Sequence, residues 1–95
     1  MSIIINVNII CKDEENPNGY LYAFLSKEYD TNLIPMNGME FEDYAWKNPR
    51  IIQNTTLCPE SNCYSLWLGN DEGNSKEACQ RIVDMYKLHD WNTPT

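Results

Sequence analysis

Apolar and polar positions alternate cleanly at the start of the chain. Ile3, Ile5, Val7, Ile9 and Cys11 fall on one side of residues 3–11, and Ile4, Asn6, Asn8 and Ile10 on the other. A period of two with β-branched residues predicts a strand whose odd-numbered side faces the core. Lys12 to Gly19 is a charged loop ending in Asn18-Gly19, a strong turn signal. Tyr20 to Ser26 alternates again and predicts a second strand, antiparallel to the first. Tyr29 to Asn32 breaks that pattern.

Leu33 to Met36 reads as extended, because Pro35 disfavours helix at Ile34. Asn37-Gly38 signals another turn. In Met39 to Asp43 the pattern predicts a strand with Met39 and Phe41 inward and the acids outward. Arg50 to Leu57 and Tyr64 to Leu68 read as a hairpin. With Pro59 to Asn62 as its loop, Cys58 faces Cys63. Leu57 then pairs with Tyr64, Thr55 with Leu66 and Gln53 with Leu68 on one face, and Thr56 with Ser65 and Asn54 with Trp67 on the other. This register puts Trp67 on the side away from the core.

The period then changes. Asn74-Ser75-Lys76-Glu77 reads as a capping box with Asn74 as N-cap. The helix is expected to reach His89 or Trp91, burying a stripe of Ala78, Cys79, Ile82, Met85, Tyr86 and His89. Residues 92–95 read as a frayed tail. Strands followed by one helix predict an α+β domain. The expected form is about five strands in a mostly antiparallel curved sheet, with the C-terminal helix packed on one face.

At 95 residues the chain reads as a single domain, and its 42% hydrophobic content is enough for a core. The formal net charge of −7 argues against a binder of phosphate backbones or anionic membranes. The excess is local. Residues 1–74 set Lys12, Lys27, Lys47 and Arg50 against eleven acids, whereas residues 75–95 are balanced. No export signal or membrane-spanning run is legible, so the expected location is cytoplasmic.

Catalytic and metal chemistry find little support. Zinc prefers two close ligand pairs, and here only Cys58 and Cys63 are close. Cys11 and Cys79 fall on core faces, and His89 is the single histidine. The acidic clusters lack the spacing of a calcium loop. Cys58 and Cys63 are expected to be structural thiols, reduced in a cytoplasm. A Cys–His pair would have to recruit His89, which reads instead as a helix-end residue. Glu40 and Glu42 share one side of a strand at a separation usable for acid–base work, yet outward acids on a sheet are ordinarily solvated. No glycine-rich phosphate loop and no basic–aromatic stacking platform is present.

What remains is surface chemistry. Trp67, Trp46 and Tyr44, rimmed by Glu40, Glu42, Asp43 and Asp71, are the expected partner-binding residues. The leading expectation is a non-enzymatic interaction protein that needs no cofactor or metal. It would bind another protein with a basic surface, as an inhibitor, immunity factor or phage-type blocker of nucleic-acid machinery does. One alternative is a small-molecule binder or small enzyme with a pocket between helix and sheet. Another is a structural subunit that dimerises through a sheet edge.

Overall fold

The computed structural model describes residues 1–93. Its elements are β1 (Ser2–Cys11), β2 (Tyr20–Asp30), β3 (Glu40–Phe41), β4 (Arg50–Ile51), β5 (Asn54–Cys58), β6 (Cys63–Gly73) and α1 (Lys76–Leu88). The fold is α+β, as the element order predicts. The main sheet has four strands in the order β2-β1-β6-β5, and β3 and β4 form a separate two-stranded sheet.

β1 is central. It pairs antiparallel with β2 and parallel with β6. The sheet is therefore mixed, where a mostly antiparallel one of about five strands was expected. The difference lies in the 39–57 region. The stretch read as one strand from Arg50 to Leu57 breaks at Ile52-Gln53. Arg50-Ile51 pairs with Glu40-Phe41, and Asn54–Cys58 pairs with β6. Ile52 is buried at the break.

The odd side of β1 is the core side, as the alternation requires. Ile5, Val7, Ile9 and Cys11 are fully buried there, joined by Leu25, Leu66, Leu68 and Ile52. Complete burial of an aliphatic side chain of this size contributes about 1.5–3 kcal/mol. From α1, the core receives Cys79, Val83 and Tyr86. The buried stripe is thus rotated from the expected one, with Val83 inside and Ala78, Ile82, Met85 and His89 only partly covered. Ser75, not Asn74, caps the helix: its side chain accepts from Ala78 N–H. His89 is the C-cap residue.

Two glycines set the path of β6. At Gly69 φ is +96°, inside the bulge where β6 slips against β1. Such a conformation suits glycine. The slip keeps both Leu68 and Asp71 on the core side. Gly73 lets α1 approach the strand end, since a Cβ there would lie 2.6 Å from Cys79 Sγ and 3.0 Å from Cys79 N.

β2 runs on to Asp30, past the Tyr29-Asp30 break expected from sequence. Its last inward residues are Lys27 and Tyr29, and the charge of Lys27 hid the alternation. Asn92 forms an antiparallel bridge with Ser26. It is therefore held rather than frayed, and the end of the expected tail, residues 94–95, lies outside the described residues. Among the described residues, no helix is long and apolar enough to cross a membrane.

Candidate functional site

Asp43 follows a two-residue strand and turns inward. Phe41 is half-buried against Tyr29 and Asp43 shares its inward side, whereas Met39, expected inward, is 47% exposed. Its side chain has no solvent exposure. An isolated buried carboxylate is costly, and four donors offset that cost. Lys27 Nζ lies 2.9 Å from Oδ1, and Tyr29 also donates its hydroxyl proton to Oδ1. The indole N–H of Trp91 and the backbone N–H of Ala45 each reach Oδ2 at 2.9 Å. Burial alone would raise the Asp43 pKa. The bonds from Tyr29, Trp91, Ala45 and Lys27 outweigh it and hold the carboxyl below its ordinary value. Burial likewise opposes the charge on Lys27, and its bonds to Asp43 and Tyr29 push its pKa above 10.5.

A second acid closes the other side of the same layer. Asp71, on β6, pairs with Arg50 at 2.5 Å and accepts the Tyr86 hydroxyl proton. Burial and then the Asp71 bond push the Tyr86 pKa upward. Trp46 donates its indole N–H to the Tyr86 oxygen at 2.8 Å, and the Arg50 guanidinium lies over the Trp46 ring at 4.6 Å. Trp46, Trp91 and Tyr86 meet edge to face, with centroids 5.7 and 4.8 Å apart. The two acids thus fasten the 43–50 loop to β2, β6 and α1.

Over this layer lies a shallow groove of about 490 Å³, lined by Tyr29, Glu42, Asp43, Tyr44, Trp46 and the 47–49 turn. It brings together four of the residues expected to bind a partner: Glu42, Asp43, Tyr44 and Trp46. Their availability differs. Tyr44 is 91% exposed and Glu42 is exposed. Trp46 is half-buried in the aromatic cluster. Asp43 is spent on internal bonds, which corrects the expectation that it stands in an outward acidic rim. Asp71 is likewise committed to Arg50 and Tyr86. Glu40 is exposed but sits opposite Ile51, outside the groove lining.

Trp67 is elsewhere. It lies on the uncovered side of the main sheet, half-buried, with its ring 5.6 Å from Phe24. Between the two strands that carry them runs β1, where Asn6 is buried and donates to Ser65 Oγ and the Leu66 carbonyl. The expected seven residues therefore do not form one surface.

Cys58 and Cys63 sit opposite each other in the predicted register, and both are free thiols. Among the described residues, no group of three or more His, Cys, Asp or Glu is placed to hold a metal ion. A second hollow, of about 700 Å³, opens between α1 and the end of β6, lined by Lys12, Glu72, Arg81, Ile82 and Met85 among others.

Sequence reasoning missed Lys27, Tyr29 and Trp91 as partners of Asp43. The parity of Leu25, Lys27 and Tyr29 was the available signal. No family model, curated protein or solved structure matches this chain.

Proposed function

We propose that this chain is a non-catalytic binding protein that engages a basic surface of another protein through the groove beside Tyr44. The observation that carries the reading is Tyr44 itself. It is almost wholly exposed, on a loop pinned at Asp43 by four hydrogen bonds. A rigidly presented aromatic loses little entropy on binding and is a frequent hot-spot residue. Glu42 beside it supplies charge for a lysine or arginine of the partner.

The wider charge distribution supports the same partner. Three of the four bases in residues 1–74 are held in ion pairs, Lys12 to Glu72, Lys27 to Asp43 and Arg50 to Asp71. Lys47 is the remaining base there, and the other acids of that segment stand outside those pairs. The acidic field is therefore largely uncancelled and would steer a basic partner toward the domain. An inhibitor or immunity factor acting on a nucleic-acid-handling protein is the class that fits.

The test is affinity capture from lysate at low and high salt, with wild type, Tyr44→Ala and Glu42→Lys. The captured proteins are expected to be basic and to be released by salt. Both variants should weaken capture by roughly tenfold or more while their circular dichroism stays unchanged. Capture indifferent to salt and to both substitutions would refute the reading. A second reading, a small-molecule site, rests on the hollow between α1 and β6, where Lys12 and Arg81 flank Ile82 and Met85. Thermal-shift screening against small anions, with Arg81→Ala as control, separates it from the first.

A further inference from the structure

Residues 31–39 and 51–59 contain no charged side chain, although the chain holds 14 acids and 7 bases. The fold joins these two stretches. Gly38 N–H donates to the Ile52 carbonyl at 2.9 Å, and Ile52 N–H to the Met39 carbonyl at 2.8 Å. Thr55 Oγ1 donates to Asn37 Oδ1 at 2.8 Å. The two joined stretches carry Leu33, Ile34, Met36, Met39, Ile51 and Leu57, six of the ten large apolar side chains exposed among the described residues. Exposed apolar residues scattered singly need no explanation, but a concentration of them in one place does.

The same surface contains an open sheet edge. β5 pairs with β6 on one side only. Among the described residues, no backbone group outside β6 bonds to Asn54–Cys58. The strand is Asn-Thr-Thr-Leu-Cys, without the lysine, proline or bulge that commonly blunts an edge.

The geometry points to a homodimer in which β5 of one copy pairs antiparallel with β5 of a second, extending the four-stranded sheet to eight strands across a two-fold axis. Electrostatics selects this occupant. A basic partner gains little from this surface, which Glu40 and Glu60 only flank, whereas two copies that each carry −7 repel wherever their charged faces meet. This charge-poor end is where they can approach. A two-fold axis at Thr56 sets Thr56 opposite its counterpart and Cys58 opposite Asn54, and the Leu33 to Met39 loop of each copy covers the junction. The contact is self-complementary and closed, so it stops at two chains.

Salt separates this contact from the one proposed at Tyr44. Screening weakens attraction to a basic partner, but it relieves repulsion between like-charged copies. Dimer affinity should therefore rise with salt.

Sedimentation equilibrium tests the proposal on the intact chain. The expected species has twice the 11.1 kDa chain mass, with a dissociation constant that falls as sodium chloride is raised. Leu33→Asp and Leu57→Lys should each raise that constant by roughly tenfold or more. Leu33 is 78% exposed, so its substitution leaves the fold intact by circular dichroism. Leu21→Asp on the uncovered sheet side and Leu88→Asp on α1 should leave the dimer unchanged. Amide exchange across residues 54–58 should slow as protein concentration rises. A monomer at about 100 μM in high salt, a dimer that salt weakens, or a dimer broken by Leu21→Asp and not by Leu33→Asp would each overturn the proposal.

Discussion

The indole nitrogen of Trp91 donates to the Asp43 carboxylate at 2.9 Å, joining residues 48 positions apart. Trp91 lies just past the end of α1 and is 1% exposed. Through this bond the helix end and the 43–50 loop define each other's position. The loop carrying Tyr44 is thus held by the helix as well as by β2.

Asp43→Asn should destabilise the domain by about 3 kcal/mol, because it leaves the buried Lys27 ammonium without its counter-charge. The double variant Asp43→Asn with Lys27→Met should recover part of that loss. Urea titration of the wild type, both single variants and the double variant checks the coupling. Additive losses would remove the ion pair as their cause.

The Asp43 carboxyl sits below its ordinary value of 3.8 in the folded chain. Its contribution to stability is therefore present above that value and is lost as pH falls through the lower, folded one. Lys27 works on the opposite limb. Its pKa is raised above 10.5, so its contribution holds below that value and is lost as pH climbs past it. Unfolding free energies measured below pH 4 should fall more steeply for wild type than for Asp43→Asn. Equal acid slopes would exclude Asp43 as a source of acid sensitivity.

Ser75→Ala should cost about 1 kcal/mol, the usual loss on removing a helix N-cap hydroxyl. Asn74→Ala should cost much less, since the Asn74 side chain makes no capping bond to the helix. Thermal melts of the two variants give the comparison, and a larger loss at Asn74 would move the cap.

Gly73→Ala should destabilise by about 1–3 kcal/mol, the range for overpacking a close contact. The new methyl would fall against the Cys79 backbone nitrogen, which cannot swing aside. Coupling the change with Cys79→Ala relieves only the sulfur contact, so that double variant should regain part of the stability and not all of it.

The turn of the β5–β6 hairpin and its pairs from Asn54–Trp67 to Cys58–Cys63 were legible in the sequence, because a four-residue turn leaves little freedom in how its flanking residues pair. The expected Gln53–Leu68 pair is not formed, and β6 runs past Leu68 to Gly73. The first two strands were legible from their own alternation, although β2 runs on past Ser26 to Asp30. The parallel pairing of β1 with β6 was not. It joins Ser2 to Cys63, and nothing local encodes a contact at that separation. At the groove, Tyr44 and Glu42 are exposed, but Asp43 was misread because polarity was weighed above parity. Lys27 occupies an inward position of β2, and Asp43 turns inward just beyond β3. Each looks like a surface residue alone, and only the facing pair makes burial affordable. Trp67 was placed on the correct side of the sheet, and its stacking on Phe24 was beyond the reach of a pattern that stops at neighbouring strands.

The parallel contact between the first strand and the last has a consequence during synthesis. β1 is synthesised before β6, so one of its long edges stays open until Gly73 has emerged. Until then β1 has only β2 beside it in the main sheet, and Ile5, Val7 and Ile9 lack the cover of α1. Closure of that edge waits until β6 has been made, so this long-range pairing forms late. A translational pause shortly before residue 73 would prolong the interval in which that greasy hairpin is open to chaperones or to aggregation.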